Sequence, residues 1–249
     1  MTPEAVAPDA AFKDLCLDAA DARGLAAFWG AALGRDVTEV GDGGWRVLPP
    51  HGGPDALGIW VDPVPEPRSG KTRVHLDLRL ASPDVTPLTD AGATLVSEPG
   101  GDRRWWVLAD PDGNEFCAMP PAPPEWGVPP VDRPTPFELV VDAADPEAQA
   151  TWWAERTGGT ARSRGGPSWW IEGAADLPWP FWVFNAVPEP KLVKNRLHWD
   201  VVVSPDGPTA LLDAGATLLR ERGAGPDPTD WWVLADPEGN EFCAFLPRD

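Results

Sequence analysis

The chain has 249 residues, with 39 acidic against 20 basic side chains and a formal net charge of −19. That balance argues against a nucleic-acid or anionic-membrane surface, and no segment approaches the roughly 20 apolar residues of a membrane helix. The opening MTPEAVAPDAAFKDL has no apolar stretch of signal-peptide length, so the expectation is a soluble, cytoplasmic protein with neither membrane nor nucleic acid as partner.

Residues 12–19 alternate and read as a strand. Asp21 is placed to cap a helix carrying Leu25, Phe28, Trp29 and Leu33, ended near Gly34. Strand-like runs follow at 36–40, 44–48 and 57–62, with His51 in the loop PPHGGPD. A second round then begins: strand 72–80, a short helix over 84–91 stopped by Gly92, strand 93–97, and a hairpin of 104–109 and 114–119. Its turn, DPDG, has the Pro and Gly positions of a tight reversal. This half of the chain therefore reads as two βαβββ rounds.

The other half repeats it. WWVLADPDGNEFCA at 105–118 recurs as WWVLADPEGNEFCA at 231–244, with Asp112 against Glu238 the one difference. RVHLDLRL at 73–80 recurs as RLHWDVVV at 196–203, and LDAADARGLAAFW at 17–29 as VDAADPEAQATWW at 141–153. The loop before the second WW is three residues longer, RERGAGPDPTD against SEPGGDRR. Repetition of this kind predicts a tail at 1–11, one domain at 12–120, a stiff proline-rich linker at 121–135 and a second domain at 136–247. The three cysteines, Cys16, Cys117 and Cys243, lie in apolar strand-like runs and read as reduced thiols.

HLDL opening the second round and DPDGNEF in its closing hairpin, with the wider patterns RxHxD and ADPEGNEFC, resemble the glyoxalase and bleomycin-resistance fold of the vicinal oxygen chelate superfamily. The resemblance implies an α+β protein of tandem glyoxalase-like domains. Each would fold two βαβββ modules into a cupped, half-open barrel, four modules in all, whose concave face binds a small molecule or a metal. It also implies that paired units work together, so the tandem fusion is expected to be a monomer with intramolecular domain pairing.

Strand periodicity gives the lining of such a cup. Arg73, His75 and Asp77 share one face against Val74, Leu76 and Leu78, and Arg196, His198 and Asp200 repeat this against Leu197, Trp199 and Val201. The polar faces are the ligand-binding candidates. Each WW pair sends one ring to either side of its strand, which adds Trp105, Trp106, Trp231 and Trp232, and Trp182 joins them from the divergent stretch before it. In metal-using relatives the resemblance carries ligand positions onto Asp14, His75 and Cys117 and onto Glu138, His198 and Cys243, with a further position near Asp62 and Asn185. Zinc accepts such oxygen, nitrogen and sulfur donors, with Ni, Fe or Mn as alternatives. Cysteine in an apolar FCA is more often a small core residue, so no cofactor and no catalytic metal is the expectation. Glu115 and Glu241 read either as substitute carboxylates or as solvated turn residues.

Two functions follow. The first is sequestration of an aromatic or hydrophobic metabolite in a Trp-lined cup, as in bleomycin-resistance proteins. The alternative is a lyase or isomerase acting on a small carbonyl compound, with His75 or His198 as base and Asp14 or Glu138 as its partner.

Overall fold

The computed structural model describes residues 7–225 and 229–247. Residues 1–6 of the expected tail, 226–228 of the longer loop and the last two residues lie outside the described residues. Among the described residues the first round is β1 (Ala10–Ala19), α1 (Ala22–Leu33), β2 (Val37–Val40), β3 (Gly44–Val47) and β4 (Ile59–Pro63). The second is β5 (Val74–Arg79), α2 (Thr86–Ala91), β6 (Thr94–Ser97), β7 (Trp106–Ala109) and β8 (Glu115–Met119). The third is β9 (Thr135–Ala143), α3 (Pro146–Thr157), β10 (Thr160–Ser163), β11 (Ser168–Glu172) and β12 (Phe181–Ala186). The fourth is β13 (Leu197–Val203), α4 (Thr209–Asp213), β14 (Thr217–Arg220), β15 (Trp232–Ala235) and β16 (Glu241–Phe245).

The strands form two open, mixed sheets, ordered β14-β15-β16-β13-β1-β4-β3-β2 and β10-β11-β12-β9-β5-β8-β7-β6. Within rounds, β1 runs parallel to β4, β5 to β8 and β13 to β16, while the hairpins are antiparallel. The chain divides into two compact units, one of residues 15–140 with 195–197, the other of 1–14, 141–194 and 198–249. No helix among the described residues is long and apolar enough to cross a membrane.

Local chemistry accounts for the elements. The Asp21 carboxylate accepts from the Gly24 amide at 2.9 Å, and Gly34 closes α1 in the left-handed region at φ 61°. Asp145 caps α3 in the same way, with Pro146 at its first turn. The fourth strand starts later than expected, at Ile59, because Asp55–Leu57 coils into a single 3₁₀ turn.

Each unit buries aromatics between helix and sheet. In the 15–140 unit, Phe116 of β8 packs against Phe28 and Trp29 of α1 at ring separations of 6.2 and 5.2 Å. In the other, Trp153 of α3 meets Trp182, Trp199 and Phe242 at 4.8, 5.4 and 5.0 Å. Val74, Leu76 and Leu78, and likewise Leu197, Trp199 and Val201, are buried. That assigns the helix side of each sheet and leaves the other face for polar chemistry.

Candidate functional site

Register fixes which side chains share that other face. Leu78 pairs with Ala118 and Arg79 with Met119, so His75, Asp77 and Arg79 stand on the Cys117 side, away from Phe116 and α1. Val107 pairs with Cys117 and Trp106 with Ala118, which turns Trp106 toward the helix side and, by alternation, Trp105 toward Cys117. Asp200 pairs with Cys243, and Trp231 stacks on Phe245 at 5.3 Å and 28°, while Trp232 pairs with Ala244 on the helix side.

In the 15–140 unit His75, Asp77 and Glu138 come together. His75 Nδ1 lies 2.5 Å from Asp77 Oδ1, and the same oxygen accepts from the Cys117 amide at 2.9 Å. Asp77, held by two donors, holds the imidazole in turn through Nδ1. Glu138, on β9, faces this pair; in the sheet β9 stands beside β5. Burial pushes the Glu138 carboxyl up to about 8, Asp77 adds to the rise, and His75 and then Arg79 oppose it. Arg79 lies over the Phe137 ring at 4.2 Å and donates to the Pro120 carbonyl at 3.2 Å. The Cys117 thiol is also driven up, first by burial and then by Asp77, so it stays protonated.

The other unit builds a different cluster from corresponding positions. His198 Nε2 is 4.0 Å from Asp200 Oδ1, much looser than its counterpart. Lys13 Nζ contacts Asp14 and lies 3.6 Å from Asp200 and 4.2 Å from the centre of the Phe245 ring. Asp14 and Asp200 are both buried.

The repeated turn beside each cluster is held by a central carboxylate. Asp110 accepts from the Asp112 and Asn114 amides at 3.0 and 2.8 Å and from Asn114 Nδ2 at 3.0 Å. Asp236 accepts likewise from Glu238, Asn240 and Asn240 Nδ2. Burial raises both carboxyls to about 6. The identity of ADPxGNEFCA in both halves is thus the chemistry of one tight loop.

Several expected site residues lie elsewhere. Trp182 is fully buried among Trp153, Trp199 and Phe184, because its strand turns it to α3. Trp106 and Trp232 face the helix side for the reason of register given above. Arg196 precedes β13, and its guanidinium donates to Asp112 at 2.9 Å and to the Glu66 carbonyl at 3.1 Å. Arg73, likewise one residue ahead of β5, is buried. Glu115 and Glu241 pair with Arg68 at 3.2 Å and Lys191 at 2.7 Å, pinning the preceding loops. Asp62 lines a separate concavity of about 400 Å³ with Trp60 and the Gly41–Gly44 turn, and Asn185 accepts from the Ser168 hydroxyl. Grouping by sequence copy also fails: Glu138, written in the second half, belongs with His75 of the first. Lys13, Arg79 and Phe137 were not expected at all. Arg79 had a signal, two residues beyond Asp77 on the same strand face.

The family model for the glyoxalase-like domain matches the chain twice, at residues 14–119 and 138–245. Glyoxalase I from Zea mays is similar over 94% of this chain and 92% of its own, at 14% identity and a TM-score of 0.62. A glutamate-to-glutamine mutant of that enzyme gives 15% identity and 0.63 over 96% and 94%. A proposed dioxygenase from Bacillus subtilis gives 11% and 0.64 over 98% and 87%. At such identities these likenesses show the fold alone. No curated protein matches the chain.

Proposed function

Since this chain belongs to the glyoxalase-like domain family of the vicinal oxygen chelate superfamily, we propose that it is an acid–base enzyme, a lyase or isomerase acting on a small carbonyl compound at His75, Asp77 and Glu138. One observation carries the reading: a carboxyl held up to about 8 by burial faces an imidazole oriented by an aspartate. Burying such groups together is costly for folding, and perturbed carboxyls of this kind concentrate where protons are moved.

The two groups divide the work. His75 takes the proton from the carbon next to the carbonyl, and that C–H electron pair becomes a C=C bond. The carbonyl π pair takes the Glu138 proton and becomes an O–H bond. Asp77 stabilises the imidazolium formed. The His75 proton then returns to the former carbonyl carbon through the C=C pair. The hydroxyl on the other carbon gives its proton back to Glu138 and becomes the new carbonyl, which completes an isomerisation.

A resident divalent metal does not fit this donor set. His75, Asp77 and Cys117 bring ligand-capable atoms within 4.8 Å of one another. Asp77 Oδ1, however, already accepts from both His75 and the Cys117 amide. Chelation is therefore expected to leave the chemistry intact.

The second reading, sequestration of a flat hydrophobic compound, is favoured by Trp231 stacked on Phe245, with Trp105 on the corresponding face. Hydrogen–deuterium exchange into hydroxyacetone and dihydroxyacetone, followed by proton NMR in D₂O, separates the two. Protein-dependent exchange that survives EDTA and His198→Ala but is lost in His75→Ala supports the enzyme. Saturable tryptophan quenching by an aromatic panel without any exchange supports the binder and removes the enzyme.

A further inference from the structure

The His198 cluster differs from the His75 cluster by one side chain the repeat does not duplicate. Lys13 corresponds by the offset of the two halves to Phe137, and Asp14 to Glu138. In the 1–14, 141–194 and 198–249 unit, the Lys13 ammonium contacts Asp14 and lies 3.6 Å from Asp200 and 4.2 Å from the Phe245 ring centre. Trp231 lies stacked on that same ring. The lysine side chain is 16% exposed and those of Asp14 and Asp200 are 6% exposed. Two buried carboxylates and an aromatic face are the surroundings by which a protein recognises an organic ammonium ion: the carboxylates supply charge and hydrogen-bond acceptors, and the ring supplies its quadrupole.

We propose that this cluster is an ammonium-binding site whose occupant is the chain's own Lys13, and that shortening Lys13 opens it to primary alkylammonium ions. Lys13 draws on Asp200 where Asp77 is left to hold His75, which accounts for the looser 4.0 Å separation of His198 from Asp200. The two halves are then not equivalent: the position that Lys13 fills in one cluster is taken by Phe137 in the other. This proposal and the chemistry assigned to His75 fail separately, because its readouts involve no turnover.

Two experiments test it. Acetylation of the unmodified protein with acetic anhydride, read by peptide mass spectrometry, should modify Lys13 at least about tenfold more slowly than the exposed Lys71 and Lys194. Equal rates would overturn the proposal. In Lys13→Ala, n-butylammonium chloride should raise Tm saturably and quench tryptophan fluorescence, while the same concentration of NaCl should not. Wild type and Lys13→Met, whose stem refills the space, should show neither response. No amine-specific shift in Lys13→Ala, or an equal shift in wild type, would sink the idea. Should Lys13→Ala fail to fold, refolding it with n-butylammonium against NaCl gives the same answer: recovery with the amine alone supports the site, and recovery with neither or with both refutes it.

Discussion

Asp112 and Glu238, the one mismatched pair in the fourteen-residue repeat, do matching jobs with side chains of different length. Glu238 takes the Ala144 and Asp145 amides, each at 2.7 Å, ahead of α3. Asp112 reaches only the Ala20 amide, at 3.3 Å ahead of α1, and gives its second oxygen to Arg196 at 2.9 Å. The extra methylene is what lets one carboxylate serve two amides. Glu238→Asp should therefore lose one of the two hydrogen bonds and about 1 kcal/mol of stability, and Glu238→Ala should lose more. Calorimetric Tm values in the order wild type, Glu238→Asp, Glu238→Ala would bear this out; an unchanged Tm for Glu238→Ala would refute it.

The turn carboxylates make stability depend on pH. Asp110 and Asp236 rise from an ordinary 3.8 to about 6, chiefly through burial, with the Asn114 and Asn240 hydrogen bonds opposing. A carboxyl whose folded value is raised contributes most below its ordinary value and loses that contribution as pH climbs through the folded value. Tm should accordingly fall between about pH 4 and about pH 6, and Asp236→Asn should flatten the fall because its amide does not ionise. A variant slope equal to that of wild type would exclude Asp236 as a source.

Core and site tryptophans should separate cleanly. Trp182 is fully buried against Trp153 and Trp199, so Trp182→Ala should cost about 3 to 5 kcal/mol. Trp105 is only half-buried. Trp105→Ala should leave the unfolding free energy from urea curves within about 1 kcal/mol of wild type while weakening quenching by aromatic ligands. Denaturation curves alongside ligand titrations check both, and the reverse pattern would return Trp182 to the site.

The fold was written plainly in the sequence because its signals are local. The Asp21 cap, the Gly34 stop, the DPDG turn and the alternation of 73–78 each depend on neighbours a few residues away. The site was half legible for the same reason. Alternation put His75 and Asp77 on one face, yet nothing local tells that β9 stands beside β5 and brings Glu138 to them. Trp182 misled because a tryptophan in a divergent stretch reads the same whether its strand turns it to a ligand or to α3. Lys13 was invisible for another reason. A lysine beside an aspartate reads as a solvated pair until a third partner, Asp200, arrives from 187 residues away.

Glu138 offers the most direct measurement. Its carboxyl is raised from an ordinary 4.5 to about 8, first by burial and then by Asp77, against His75 and Arg79. Titration of the labelled side-chain carboxyl carbon by ¹³C NMR should give a midpoint near that value. Each neighbour then has a sign. Asp77→Asn removes a repelling charge and should lower the midpoint, whereas Arg79→Leu removes an attracting one and should raise it. The raised value also means that folding loses the Glu138 contribution as pH rises through about 8, a loss Glu138→Gln should abolish at the alkaline end of the Tm profile. A midpoint near 4.5 in wild type would mean that water reaches the carboxylate, and an acid poised for proton donation at neutral pH would no longer be part of the site.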